Sequence, residues 1–294
     1  MKKFENILIC TDLDGTLLRD DKSISRENLE AIEYFKSEGG YFTFITGRPP
    51  ISSVDIYQKI KPNAPFGCLN GGGLYDGEAK EYVWYVEMSR TVCDMLDAVD
   101  RALPIGIQVS TLGPVYFCKD NSAMEEFRRI TGVPNLAKPY REIEEPFGKI
   151  VFADLDTNNI RALAALLASH PRADEFDYVS SEPTLYEILP KGINKGSVFP
   201  KLVEHLGIDR RRTVAIGDYD NDVGMLRAAQ VGVAVANSSP AALAAADRVT
   251  VSNEEHAIAR LIQDIENGEI TFEDEYNDPI EQMKKDISFI KSNI

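Results

Sequence analysis

The sequence predicts an α/β protein: a doubly wound, mostly parallel core sheet interrupted by a large α+β insertion. Three observations predict it. Short apolar runs alternate with helix-period segments at both ends of the chain, the pattern of a parallel sheet. Between about residues 82 and 190 strands follow one another through hairpin-length links, the habit of an antiparallel module. Three apolar runs stop abruptly in polar clusters, at Asp12, Thr46 and Asp218.

The first strand, 7–10, runs into Thr11-Asp12-Leu13-Asp14-Gly15-Thr16. Alone, this cluster reads equally as a polar turn or as a holder of negative charge at a sheet edge. Segments 16–18 and 23–25 flank Arg19-Asp20-Asp21-Lys22 and predict a small hairpin or flap. Ser25 N-caps a helix to about Glu38, with Leu29, Ile32 and Phe35 facing a core and Gly39-Gly40 ending it. A second strand, 41–45, ends in Thr46-Gly47-Arg48-Pro49. A helix follows to about Lys61, then a third short strand, 67–69. That strand meets Asn70-Gly71-Gly72-Gly73, where the backbone turns sharply or passes close to something.

The insertion is expected over 82–190, between core segments 1–81 and 191–268. It reads as strand 82–86, helix 90–103, strands 105–110 and 115–119, helix 121–130, strand 148–154 and helix 158–169. Strands 176–180 and 184–189 close it as a hairpin across Ser181-Glu182-Pro183. The parallel texture then returns. Asn194 caps a helix to Leu206, and strand 213–216 ends in Gly217-Asp218-Tyr219-Asp220-Asn221-Asp222. A helix carrying Val223, Met225, Leu226 and Ala229 follows, then strand 231–236, helix 240–246, strand 248–250 and helix 254–266. Residues 269–294 form an acidic tail, read as a solvated C-terminal helix or as a contact element for a second subunit. The oligomeric state stays open.

Composition narrows the function. The 294 residues suffice for one large domain or two ordinary ones, and 44% hydrophobic with 27% charged residues is ordinary for a soluble protein. No apolar run reaches the roughly 18 residues of a membrane span. The opening Met-Lys-Lys-Phe-Glu leads into a run too short for a signal peptide, so the expected location is the cytoplasm. A net charge of −15 argues against nucleic acid as a partner. Cys10, Cys68, Cys93 and Cys118 are too scattered for a disulfide framework or zinc site. His170, His205 and His256 match no ligand spacing.

Four polar stations remain: Asp12-x-Asp14-Gly15-Thr16, Thr46-Gly47-Arg48, Lys195-Gly196, and Gly217-Asp218-x-x-Asn221-Asp222. In a parallel sheet, groups that follow strands share one edge, where ligands bind. Asp12, Asp14, Asp218 and Asp222 there would need a cation, because like charges raise one another's pKa. An all-oxygen ligand set points to a hard ion, Mg²⁺ first. Thr46 offers a hydroxyl, Gly47 a bare N–H, and Lys195 a positive charge at an expected helix N-terminus, all suited to a phosphate. One carboxylate can attack phosphorus and the other can move protons.

These stations resemble the four motifs of the haloacid dehalogenase superfamily, and its Cof-type sugar-phosphatase-like group. Leu69-Asn70-Gly71, Ala234-Val235-Ala236-Asn237 and Ser252-Asn253-Glu254-Glu255-His256 add to the likeness, which spans roughly residues 5–265. The resemblance implies a Rossmann-like catalytic core with the insertion as a substrate-specificity cap. It implies Asp12 as nucleophile and metal ligand, and Asp14 as general acid/base that also binds metal through its backbone carbonyl. Thr46, Gly47, Lys195 and Asn221 bind phosphate, Asp218 binds metal, and Asp222 supports the metal shell or orients Lys195. The implied activity is Mg²⁺-dependent hydrolysis of a small phosphorylated metabolite through an aspartyl-phosphate. Sugar phosphates come first, with pyridoxal phosphate and flavin mononucleotide also open. The alternatives are a phosphomutase or phosphotransferase of the same fold, and a non-catalytic protein that binds phosphorylated metabolites. Arg48 either serves the site or pairs with a core carboxylate, and Asn70 either faces substrate or caps its turn. Glu187, Tyr186 and Trp84, near the expected hinges, either touch substrate or serve core or hinge packing, the packing reading coming first.

Overall fold

The structure is a computed structural model that describes residues 2–272. The chain begins with β1 (Leu8–Thr11), α1 (Arg26–Ser37), β2 (Tyr41–Phe44), α2 (Val54–Ile60), β3 (Phe66–Cys68), β4 (Gly73–Asp76) and β5 (Glu81–Tyr85). The insertion contains α3 (Val92–Ala102), β6 (Gly106–Thr111), β7 (Val115–Lys119), α4 (Ser122–Thr131), β8 (Leu136–Ala137), β9 (Phe147–Ala153), α5 (Thr157–Ala168), β10 (Phe176–Glu182) and β11 (Leu185–Pro190). The chain returns through α6 (Phe199–Leu206), β12 (Thr213–Gly217), α7 (Val223–Ala228), β13 (Val231–Ala234), α8 (Pro240–Ala245), β14 (Arg248–Val249) and α9 (Ala257–Glu266).

The core sheet runs β14-β13-β12-β1-β2, with every pair parallel. Its strands are apolar because helices cover both faces. Ile9, Phe42, Phe44, Val214 and Ile216 point to the layer holding α1 and α9; Leu8, Cys10 and Ala215 point to α6, α7 and α8. From β1 the chain passes to β2 on one side and later returns as β12 on the other. The carboxyl ends of β1 and β12 therefore flank the switch in strand order, where such sheets bind ligands.

The cap sheet runs β10-β11-β9-β6-β7-β8, antiparallel except for β7 with β8. Period-2 alternation sorts its faces. Ile107, Val109, Ile150, Phe152 and Ile188 pack with residues of α3 and α5. The intervening positions, including Gln108, Lys149, Val151 and Glu187, face the other way.

Several expectations change. β3 is not a full member of the parallel sheet: one bridge, Ile45 with Gly67, ties it to β2, and it pairs antiparallel with the unforeseen β4. The strand expected to open the insertion, β5, pairs with β4 instead. Asp76 accepts from the Glu78 and Ala79 N–H groups and makes the tight turn that folds β5 back. After β5 the backbone reaches the cap sheet at Met88, whose N–H donates to Phe147 O at 2.8 Å. The flap at 16–25 is a turn rather than a hairpin, closed by Arg19 N–H on Ser23 O at 2.9 Å. The last helix is broken at His256 (φ 62°), so α9 starts at Ala257. Residues 269–272 are not helical; Ile270 is buried and Phe272 packs on the core. The rest of the expected helical tail, 273–294, lies outside the described residues.

Candidate active site

Three strands deliver the chemistry. Asp12 follows β1, and its N–H extends the ladder to Ile216 O at 2.8 Å. Thr46 follows β2 and is buried, its hydroxyl oxygen accepting from Arg48 N–H at 3.2 Å. Asp218 follows β12. Asp222 folds back beneath it, one carboxylate oxygen accepting from the Asp218 and Tyr219 N–H groups at 3.0 Å each. Gly15 is required twice over. Its φ is +82°, and a Cβ there would lie 2.6 Å from Asp218 Oδ2. The Thr16 hydroxyl donates to Asp218 Oδ1 at 2.8 Å.

Lys195 arrives from a different local structure than expected. Asn194 does not cap a helix; its Oδ1 accepts from Gly196 N–H at 2.8 Å in a side-chain turn, and α6 starts only at Phe199. Such asparagine turns compete with helix formation. The Lys195 ammonium is 2% exposed and donates to Asp12 Oδ1 at 2.5 Å and Asp222 Oδ1 at 2.6 Å. Both Asp222 oxygens are thereby engaged, one by Lys195 and the other by the N–H groups of the Asp218 turn.

Carboxylate oxygens of Asp12, Asp218 and Asp222 lie within 4.8 Å of one another. Burial pushes the Asp12 carboxyl well above the usual range; Lys195 pulls it back, and Asp222 and Asp218 push it up again. Burial and Asp222 push Asp218 up to about 6. Burial disfavours the Lys195 ammonium, yet Asp12 and Asp222 outweigh that and keep it charged. Three carboxylates against one ammonium leave excess negative charge on oxygen donors alone, which fits a hard divalent cation.

The Asp14 side chain stands apart from this cluster. Arg48 donates to both its oxygens, at 2.9 and 2.7 Å, and Lys22 to one at 3.0 Å. Burial alone would raise this carboxyl, but the Arg48 and Lys22 charges hold it below the usual range. Arg48 therefore pairs with a core carboxylate that itself lines the site.

A cavity of about 580 Å³ brings together Asp12, Asp14, Thr46, Gly47, Lys195, Asp218 and Asn221. Asn221 Nδ2 donates to Asn70 Oδ1 at 3.1 Å, and Asn70 Nδ2 donates to Glu187 of the cap at 2.7 Å. Asn70, buried and with φ at 54°, thus bridges two residues that line the cavity, Asn221 and Glu187. The cap roofs the cavity with Phe127 and Ile130 of α4, Leu155, and the 181–185 turn. Glu187, read from sequence as packing, lines the cavity and pairs with Lys149. Sequence reasoning missed Lys149; its one signal is a lone lysine inside the apolar run Phe147-Gly148-Lys149-Ile150-Val151-Phe152. Tyr186 and Trp84 do pack, Tyr186 stacking on Tyr178.

A family model for haloacid dehalogenase-like hydrolases matches residues 9–262. The chain belongs to that family. This hydrolase is 30% identical over 270 residues to the putative phosphatase YxeH of Bacillus subtilis, covering 88% of this chain and 97% of that one. It is 29% identical over 264 residues to the 5-amino-6-(5-phospho-D-ribitylamino)uracil phosphatase YitU of the same organism, covering 87% and 96%. The crystal structure of a haloacid dehalogenase-like hydrolase from Bacteroides thetaiotaomicron superposes with a TM-score of 0.78. That match has 25% identity and covers 88% of this chain and 99% of the other. The hydrolase is a phosphatase. Among its described residues, no helix is long and apolar enough to cross a membrane.

Proposed function

We propose that this phosphatase hydrolyses a small phosphorylated metabolite, a sugar phosphate first, through an aspartyl-phosphate on Asp12, with Mg²⁺ as its cation and the cytoplasm as its location. The observation that carries the reading is Asp12 itself. One of its oxygens is fixed by Lys195 at 2.5 Å while the residue lines a cavity large enough for a metabolite. Asp12, Asp218 and the Asp14 carbonyl would hold the cation, which when bound offsets negative charge on the transferring phosphoryl group.

The remaining steps belong to the chain. Thr46, Gly47, Lys195 and Asn221 hold the phosphate. The Asp12 oxygen not held by Lys195 attacks phosphorus, and the bond from phosphorus to the ester oxygen breaks. Asp14, as the protonated acid, donates its proton to the departing alkoxide, releasing an alcohol. Asp14 then takes a proton from water as that water attacks the phosphorus of the acyl phosphate. Inorganic phosphate leaves and the Asp12 carboxylate is restored. Arg48 and Lys22 favour the carboxylate form of Asp14, which suits the second step; the first step requires Asp14 to leave that pairing and take up a proton. YitU's named substrate carries its phosphate on a ribityl chain, which supports a small polyhydroxylated metabolite. The test is phosphate release from a simple phosphate ester in Mg²⁺. Asp12→Asn is expected to abolish it with the thermal unfolding transition retained; turnover in that variant would overturn the nucleophile assignment.

A further inference from the structure

The cap face above the phosphate site carries a polar cluster that no step above uses. Lys149 on β9 and Glu187 on β11 are 4% and 3% exposed, and the ammonium donates to Glu187 Oε2 at 2.7 Å. Strand register explains the meeting. Glu187 lies opposite Val151, so Lys149 is its diagonal neighbour on the same face, within reach of long side chains. Glu187 is further fixed by Asn70 Nδ2 at 2.7 Å and by the Ser181 hydroxyl at 2.7 Å on its other oxygen. Lys149 has three N–H donors, and among the described residues only Glu187 accepts from it. Gln108 Oε1, on the same face, is buried without a partner among the described residues. Lys149, Glu187 and Ser181 all line the cavity that Asp12 lines.

A buried ammonium with spare donors beside a fixed carboxylate suits adjacent hydroxyl groups, which accept from one and donate to the other. We propose that Lys149 and Glu187 form a leaving-group subsite that reads hydroxyls on the alcohol portion of the substrate. The ligand class is a polyol or sugar phosphate, with Phe127 and Ile130 of α4 facing its C–H surface. The proposal rests on the phosphatase reading and names the part of the site that selects the ester.

The test compares ribitol 5-phosphate with n-pentyl phosphate, which lacks the hydroxyls, in the full-length protein and in Lys149→Met/Glu187→Gln. The double variant removes both buried charges together, so neither is left unpaired, and the introduced glutamine amide keeps an acceptor for Asn70. The subsite predicts that wild type favours the polyol ester in kcat/KM, and that the double variant cuts this ratio at least tenfold. Parallel loss on both esters, or an unchanged ratio, overturns it, because a structural role or a phosphate contact lowers both alike. If neither ester is hydrolysed, the phosphatase reading fails separately. The ratio of the two dissociation constants, measured by calorimetry, then decides the subsite by the same criterion.

Discussion

Lys195 concentrates the electrostatics of the site in one side chain. It is the ammonium that balances Asp12 and Asp222 in a buried volume, and truncating one partner of a buried ion pair typically costs about 3–5 kcal/mol. Lys195→Met is therefore expected to lower stability by that order. It should also lower kcat by roughly 10²–10³, the usual loss when one preorganised donor to developing charge is removed. Denaturant melts and steady-state kinetics read the two effects; a variant with wild-type kcat would show that Lys195 is structural alone. Gly15 makes a second residue-scale case. In Gly15→Ala the methyl group would meet Asp218 Oδ2 at 2.6 Å and force that carboxylate to move. Mg²⁺ affinity by titration calorimetry should fall about 10–100-fold, as it does when the groups that orient a metal ligand are disturbed. Unchanged affinity would remove Asp218 from the metal site.

At the scale of elements, the strand ends and turns do the positioning, and here the sequence is most informative where a local signal stands alone. Apolar runs ending in Asp12, Thr46 and Asp218 locate the catalytic edge because a parallel strand buried on both faces has an unmistakable composition. The Asn194 turn is misread from sequence because asparagine caps a helix or a turn with the same side-chain oxygen, and only the close packing of Gly196 on Gly224 O selects the turn. The cap has its own element-scale staple. Asp97 on α3 accepts from Arg141 at 2.6 Å and from the Tyr140 hydroxyl at 2.6 Å. Those bonds, Arg141's first, hold the Asp97 carboxyl below its usual range. A carboxyl lowered in the folded state adds stability that is complete above its unfolded pKa of about 3.9 and lost as pH falls through the lower folded value. The stability gap between wild type and Asp97→Asn should be widest near neutrality and narrow below about pH 4 in urea melts. A gap independent of pH would assign the effect to packing.

For the whole molecule, the site exists because two sheets meet. The core supplies Asp12, Lys195 and Asn221, and the cap supplies Glu187 and Lys149 through hydrogen bonds that cross at Asn70. The core half is legible in the sequence because its residues sit in contiguous motifs. The cap half is not: Lys149 and Glu187 are 38 positions apart and join only through the β9–β11 register, which hairpin spacing does not fix. The same long-range logic hides β5, whose run resembles a cap strand but pairs with β4. The whole arrangement turns on Asp12, which lines the cavity with Thr46, Gly47, Lys195 and Asn221 and is held through one oxygen by Lys195. The direct measurement is acid-quenched single-turnover hydrolysis in Mg²⁺, followed by peptide mass spectrometry. The account predicts a transient phosphoryl adduct on Asp12 that forms before phosphate is released; phosphate release at full rate with no adduct on Asp12 would contradict it.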